Sequence, residues 1–384
     1  MDNPRYRELP PEGNAPNDDY HTPNSNAGSF TAFSGDPSPM ADANFIAPVM
    51  ENRGPEERLT YAKSIFKAVN KDLMLFILFA IGAQVVTYGI ATILGSLGVY
   101  RSLPSWATLL ITVLPLYLVA FPACLWMFSK IPDNAPRTRS LGIERFIKYA
   151  FVCMPIVYIG NLIGNLLSSL FSAGKAQNVL DIITVDFGPV HFLLMIIVAP
   201  ILEELVFRKA IIDRIGRYGE ATAIIFSALL FGLFHMNLYQ FFYAFALGMM
   251  FAYIYINTGR IRYTIALHVL INFFGSFVAS MVAGSIDEEA LMKIEMYQEG
   301  VIGMGEMMQV LPKLLPLVLY EIVVFTCIIA GIILFAVNVK KIKIKQTPEQ
   351  LPAGTRRAAA YGNPYFVISV VICVLGMLAT IVLI

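Results

Sequence analysis

Charged residues are scarce in this chain. Asp, Glu, Lys and Arg make up only 14% of its 384 residues, and 57% are hydrophobic, whereas a soluble globular protein carries roughly 25% charged residues. This composition predicts an all-α, polytopic membrane protein built as a helix bundle. The net charge is only +1, so no excess of positive charge favours a nucleic-acid partner.

Cysteine is also rare, and its positions argue against a redox or metal role. No two of the four cysteines have CxxC spacing, and each lies inside an apolar segment: they are Cys124, Cys153, Cys327 and Cys373. We therefore expect buried thiols rather than disulfides or metal ligands.

The N-terminal region lacks the short basic segment followed by an apolar one that marks a cleavable signal sequence. Residues 1–54 are instead rich in Pro, Asn, Ser, Asp and Gly. Such a composition cannot bury enough apolar surface to offset the entropy lost on ordering. The sequence predicts a disordered cytoplasmic tail over residues 1–60 and a transmembrane domain over residues 61–384.

The apolar runs give the number of membrane spans. A helix needs about 20 apolar residues to cross the hydrocarbon layer. By this measure the chain has about nine candidates, or eight because the fifth and sixth are short and separated only by MNLYQ. The nine are residues 73–94, 107–128, 146–171, 190–207, 221–235, 241–256, 263–283, 314–337 and 365–384.

The loop charges predict the orientation. Lys and Arg are concentrated before the first candidate span and after the second, fourth, sixth and eighth, while the loop at residues 284–313 is acidic. Short cytoplasmic loops carry the excess of Lys and Arg. The sequence thus predicts a cytoplasmic N-terminus, with the cytoplasmic end of the fourth span near residues 203–208.

Two adjacent carboxylates, Glu203 and Glu204, lie in the apolar stretch HFLLMIIVAPILEELVFRK, and Arg208 follows one helical turn later. A charge in a spanning helix costs at least ~2.5 kcal/mol, so such residues are candidates for function. Glu204 and Arg208, at i and i+4, also fit a simple ion pair at a helix end. Glu203 points about 100° away from Glu204 around the helix and has no such partner in the sequence.

Two of the four histidines lie in later spans. His235 ends FGLFH, and His268 precedes Asn272 by four residues in LHVLIN, so those two side chains share a helix face. Each alone fits an interhelical hydrogen bond. Together with Glu203 they also form a catalytic set. Glu203 can take a proton from water, His235 can orient that water, and His268 and Asn272 can stabilise a developing oxyanion.

Two common hydrolase motifs are missing. The chain has no GxSxG, which argues against a covalent nucleophile, and no HExxH, which excludes a zincin helix. Polar residues elsewhere in the candidate spans receive no catalytic role: they are Gln84, Asn161, Asn165 and Glu321.

The order EELVFR, FGLFH and HVLIN, over about residues 200–273, resembles the three signature motifs of the CPBP family, the CAAX protease and bacteriocin-processing membrane peptidases. The resemblance implies an intramembrane glutamic endopeptidase without a cofactor, with a catalytic core at about residues 186–283. It assigns the base to Glu203, water activation to His235, the oxyanion site to His268 and Asn272, and supporting roles to Glu204 and Arg208.

The resemblance also implies partners and a location. The substrate expected is a peptide or protein, prenylated if the chain acts as CAAX proteases do, presented from the lipid bilayer. The location expected is a bacterial plasma membrane, with an active site open to the cytoplasm. The sequence does not predict an oligomeric state.

Three alternatives remain open on the sequence alone. In the first, Glu203, His235 and His268 hold a divalent metal such as zinc for the same reaction. In the second, the polar residues relay protons in a transporter, although no internal repeat is visible. In the third, the chain is a non-catalytic scaffold or immunity protein.

One distance conflicts with the shared-water hypothesis. If the fifth span begins at the inner face, His235 lies about 20 Å deep, whereas Glu203 is expected near that face. The hypothesis therefore requires a deep cavity, or a fourth helix that continues beyond Arg208 into the cytosol.

Overall fold

The structure is a computed structural model that describes residues 44–45, 54–172 and 188–382. All regular secondary structure in these residues is helical. Eight of the described helices are long and apolar enough to span a membrane. The predicted all-α, polytopic bundle is therefore confirmed.

The helices are numbered here in chain order. The eight spanning helices are α1 (Pro55–Ser96), α2 (Ser105–Phe128), α3 (Ile143–Phe171), α4 (Pro189–Tyr218), α6 (Leu238–Thr258), α7 (Ile261–Ala283), α10 (Leu311–Lys341) and α12 (Pro364–Ile381). Four shorter helices complete the described chain: α5 (Glu220–Phe234), α8 (Glu288–Gln298), α9 (Met304–Met307) and α11 (Ala353–Tyr361).

The fifth of the nine candidate spans is α5, which is too short to cross the membrane alone. It has 15 residues, or roughly 22 Å at 1.5 Å per residue, against about 30 Å of hydrocarbon. Most of its residues are buried. Its apolar composition is thus explained by packing inside the bundle, and eight helices of the described residues, not nine, have the length and composition of a membrane span.

Helix α4 is longer than the apolar run that predicts it. The run ends at residue 207, but the helix continues to Tyr218 because its later charged side chains have partners. The Tyr255 hydroxyl donates to Asp213 (2.6 Å), and Arg214 Nε donates to the Phe128 carbonyl (2.9 Å). Glu203 thus lies near the middle of α4, which corrects its predicted position at the end of a span.

Short π-helical turns interrupt α2, α4 and α7. Two of them, Leu116–Ala120 and Phe192–Val198, lie just before Pro122 and Pro200 respectively. Proline has no N–H, so a carbonyl in the preceding turn loses its helical partner. Local π turns are one way in which membrane helices accommodate this loss. A further π turn, Leu205–Ala210, follows the paired glutamates.

A tight turn at Gly219 reverses the chain between α4 and α5. Gly219 has φ 147°, a conformation that favours glycine. The two helices then run antiparallel in contact, with the Phe207 and Phe231 ring centroids 5.3 Å apart. Glu203 lies 16 residues before Gly219, and His235 lies 16 residues after it. The hairpin therefore brings these two residues to similar depths.

Aromatic side chains join α1 and α2 to this hairpin. The ring of Phe76, fully buried on α1, stacks on Phe234 (4.8 Å between centroids) and also contacts Phe121 and Phe207. Helix α6 packs along both α3 and α5. The candidate site residues on α4 and α5 therefore lie on helices that pack in the centre of the bundle.

Two glycines one turn apart on α3 allow α6 to approach closely. A Cβ added to Gly160 would lie 2.6 Å from the Tyr243 Cα atom, and one on Gly164 would lie 2.6 Å from the Tyr239 carbonyl oxygen. Such small-xxx-small pairs let membrane helices pack backbone to backbone. The GNLIG sequence at residues 160–164 is the GxxxG motif that corresponds to this contact.

We expect Gly160→Ala to lower the free energy of unfolding by about 1–3 kcal/mol, the usual cost of overpacking. The matched control is Gly89→Ala on α1, where the new methyl group meets nothing within 4 Å. Because Ala favours helix over Gly, the control should not destabilise the protein. Thermal unfolding in detergent measures both changes, and equal behaviour of the two variants would contradict the close packing of α3 on α6.

Helix α10 has the least buried hydrophobic window of the eight spans, at 11%. It packs on α3, where Gly331 lies against the backbone of Phe151. Glu321 is exposed on this helix, far along the chain from the motif residues. It remains without a catalytic role.

Only part of the predicted N-terminal tail, residues 1–60, is described. Residues 1–43 and 46–53 lie outside the described part of the chain. Residues from Pro55 onward form the first turns of α1, where proline at the helix start and Glu56 and Glu57 in the first turn are favourable. Asn44 and Phe45 are completely buried. The Phe45 ring packs in the hydrophobic core.

Candidate active site

The Glu204 carboxylate and the Arg208 guanidinium form a fully buried ion pair. Arg208 Nη1 lies 3.3 Å from Glu204 Oε1, and both side chains are 0% exposed. The i, i+4 pairing expected from the sequence is therefore present. Its position is in the middle of α4 rather than at a helix end.

Aromatic rings surround the rest of the guanidinium. Arg208 lies over the ring of Phe231, 4.1 Å from its centroid, and near that of Phe251, at 5.4 Å. A desolvated cation over aromatic rings gains about 2 kcal/mol or more. The two rings thus help to stabilise a charge that has left water.

His268 lies between the two glutamates. Its Nδ1 is 3.1 Å from Glu204 Oε1, and its Nε2 is 3.6 Å from Glu203 Oε2, which is too long for a hydrogen bond. A carboxylate only accepts hydrogen bonds, so Nδ1 carries a hydrogen toward Glu204. A neutral ring would then turn the Nε2 lone pair toward Glu203. Nε2 is therefore the ring nitrogen that faces Glu203.

His235 lies at the C-terminal end of α5, beside the same aromatic ring. Its Nδ1 is 2.8 Å from the Phe231 carbonyl oxygen, which is an acceptor, so Nδ1 is protonated and Nε2 is the free nitrogen in the neutral ring. The Phe231 ring contacts both imidazoles edge to face, at 5.0 Å for His235 and 5.8 Å for His268. Glu203 is close enough for its charge to act on His235.

Asn272 is near this group but makes a different contact. Its Nδ2 donates to the Met195 carbonyl, 3.2 Å away, in a π turn of α4. His268 and Asn272 therefore both reach α4 from one face of α7, as their spacing predicts. The structure places Asn272 against the α4 backbone rather than in direct contact with Glu203.

The continuous α4 helix meets one of the two alternatives that the depth of His235 required. The two requirements were a deep cavity or an α4 that extends beyond Arg208, and α4 extends to Tyr218. Glu203 and His235 therefore lie at corresponding positions of one hairpin. Both side chains remain partly accessible.

Sequence reasoning missed three residues that complete the group. Phe231 touches Arg208 and both histidines, Phe251 touches Arg208 and His268, and Thr264 lies beside Glu204, one turn before His268. Phe231 is the first residue of FGLFH, so the motif carried a signal for it. Phe251 and Thr264 belong to none of the three motifs, and only the packing of the helices brings them to the site.

Glu203, His235 and His268 are the residues that would hold a metal ion in the metal-dependent alternative. In the described parts of the chain, no three His, Cys, Asp or Glu side chains are grouped as they are around a metal ion. Glu203, His235 and His268 therefore do not form such a group in this conformation.

Comparison with known proteins gives the family. A family model described as type II CAAX prenyl endopeptidase, Rce1-like, matches residues 186–274, which include every residue of the group. A candidate membrane peptidase of Bacillus subtilis (strain 168), YdiL, is 33% identical over 172 residues, covering 41% of this chain and 68% of YdiL. No solved structure matches the chain. The resemblance to CPBP peptidases is thereby confirmed, and the chain belongs to this Rce1-like family of membrane proteases.

Proposed function

We propose that this protein hydrolyses a peptide bond within the membrane by means of a water molecule that Glu203 activates. The observation that carries the proposal is the series Arg208, Glu204, His268 and Glu203, in which each group lies within 3.6 Å of the next and Glu203 is partly exposed. A buried charge is costly unless it is paired. Such a series is hard to explain by packing alone.

The reaction begins with proton transfer to Glu203. As its carboxylate takes a proton from water, the water oxygen attacks the carbonyl carbon of the substrate, and the carbonyl electron pair moves to oxygen. His235 orients the water through Nε2, its free nitrogen. Glu203 then returns the proton to the amide nitrogen, and the bond between carbon and nitrogen breaks.

The developing oxyanion requires hydrogen-bond donors. His268 supplies Nε2–H when it carries the second proton, and Glu204 fixes the orientation of its ring through Nδ1. Asn272 has two amide hydrogens, one of which is donated to Met195. Its other hydrogen is the second donor in this proposal. Arg208 balances the Glu204 charge, so Glu204 is a positioning residue rather than only a structural one.

The proposed substrate is a peptide segment of a membrane-associated protein. The family match favours CAAX-type cleavage near a lipidated cysteine. The positions of Lys and Arg in the loops favour a cytoplasmic N-terminus and a site that opens to the cytoplasm. The relative in Bacillus subtilis favours a bacterial plasma membrane.

The substrate can be sought by comparing protein termini. We expect membranes from cells that express the wild-type chain to contain new C-termini or N-termini that are missing with Glu203→Gln. Quantitative mass spectrometry of terminal peptides measures this difference. If the two sets of termini are identical while both proteins are present in equal amounts, the endopeptidase proposal is wrong.

We expect the reaction to proceed without a metal ion. Activity of the purified protein on an identified substrate should change less than about twofold after dialysis against EDTA or phenanthroline, since the proposed base is a carboxylate rather than a metal-bound water. Elemental analysis of the same samples provides the control. Loss of activity that zinc restores, together with stoichiometric zinc, would support the metal-dependent alternative instead.

A further inference from the structure

Asn44 and Phe45 are buried against the turn between α4 and α5. Both residues are 0% exposed. The Asn44 amide donates to Glu220 Oε1 (2.8 Å) and lies 3.4 Å from Asn257 Oδ1, while its carbonyl accepts from the Arg137 backbone N–H (2.6 Å). These partners come from the loop after α2, the start of α5 and the end of α6.

The ring of Phe45 occupies space that only a glycine leaves open. A Cβ added to Gly216 would overlap the ring. Gly216 itself has φ −59°, which any residue can adopt. The backbone therefore does not require glycine here, and it is the Phe45 ring that excludes a side chain.

Glu220 connects this N-terminal segment to a second distant segment. Its Oε1 accepts from Asn44, and its Oε2 accepts from the backbone N–H of Lys345 (2.9 Å), beyond the end of α10. Glu220 is 1% exposed and directly follows Gly219, the turning point of the hairpin. Both oxygens of one buried carboxylate thus hold segments that are far away in the sequence.

We propose that Arg137, Gly216, Glu220 and Asn257 form an intramolecular binding site for the N-terminal segment, with Asn44 and Phe45 as its ligand, and that its occupancy stabilises the α4–α5 turn. This site lies outside the group around Glu203. Its effect on that group follows from the hairpin, because Glu203 and His235 are each 16 residues from Gly219. A looser turn therefore loosens the alignment of those two residues.

Hydrogen exchange of the full-length protein tests the site without an activity assay. Phe45→Ala should increase exchange at the amides of residues 216–222 by roughly tenfold or more, because a fully buried aromatic contact is lost there. The matched control is Phe325→Ala, which removes a ring that is 65% exposed on α10 and should leave these amides unchanged. Unchanged exchange in Phe45→Ala would overturn the proposal.

A second pair of variants separates binding from general destabilisation. Gly216→Ala should also increase exchange at the turn, because its methyl group displaces the ring. The double variant, Gly216→Ala with Phe45→Ala, should exchange no faster than Phe45→Ala alone, because the methyl group then occupies vacated space. Independent, multiplied effects in the double variant would show that Gly216 and Phe45 do not share a site, and would overturn the proposal.

Addition of the segment as a free peptide provides the last test. A synthetic peptide of residues 39–50 should restore protection at residues 216–222 in the Phe45→Ala protein, in a saturable manner. The control peptide has Ala at positions 44 and 45 and should have no effect. Equal effects of the two peptides, or no restoration at millimolar wild-type peptide, would contradict a binding site for this segment.

Discussion

Replacement of Glu203 by Gln is expected to lower the rate of peptide hydrolysis by about 10²–10⁴-fold, the usual contribution of a general base. Gln has almost the same shape as Glu but cannot take a proton from water. Glu203 is 18% exposed, and its contact with His268 is longer than a hydrogen bond. The stability of the protein should therefore change little while the reaction is lost.

The measurement is kcat and KM on a cleaved peptide substrate, together with thermal unfolding of the same preparations. Glu321→Gln is the matched control, since it removes an exposed carboxylate from another spanning helix. The control should keep wild-type kcat. Full activity of Glu203→Gln, or equal losses in both variants, would contradict the assignment of Glu203 as the base.

Replacement of Arg208 by Met is expected to lower the free energy of unfolding by about 3–5 kcal/mol, the usual cost of breaking a buried ion pair. The change leaves the fully buried Glu204 without its cation and removes the contacts with Phe231 and Phe251. Methionine retains much of the apolar length of the side chain. The loss therefore reports mainly on charge.

The effect is measured by unfolding each variant in detergent with heat or with denaturant. The double variant Arg208→Met with Glu204→Gln should recover part of the loss, because no charge then remains unpaired. Lys148→Met is the matched control, since it breaks an exposed i, i+4 pair with Glu144, and exposed pairs contribute little. If the single Arg208→Met variant is as stable as the control, the buried pair contributes little to the free energy of unfolding.

The membrane architecture was largely readable from the sequence because hydrocarbon imposes strict rules. Long apolar runs predict the spanning helices, and the order of three short motifs pointed to Glu203, His235 and His268 on α4, α5 and α7. The same rules gave His268 and Asn272 one helix face, and both do reach α4. These predictions depended only on spacing within single helices.

The remaining features depend on contacts between helices, which spacing does not reveal. The hydropathy of the sequence predicts that the fourth span ends at Phe207, because Asp213 and Arg214 are polar. Their hydrogen bonds with the Tyr255 hydroxyl and the Phe128 carbonyl appear only in the folded structure. The α5 helix is predicted to be a span because it is apolar. Apolar residues are favoured both by burial among helices and by contact with lipid, so composition does not distinguish the two. The contact between Glu204 and His268 could not be predicted either, because it joins two different helices.

The i, i+4 spacing of Glu204 and Arg208 has a consequence for biosynthesis. His268 follows Glu204 by 64 residues, so α4 is made well before α7 is available to receive its charges. Glu204 and Arg208 lie on one helix and can pair as soon as that helix forms. Of the three charges in EELVFR, Glu203 alone lacks a partner on α4, all of which is described. The EELVFR segment therefore enters the bilayer with the cost of one unpaired charge instead of three.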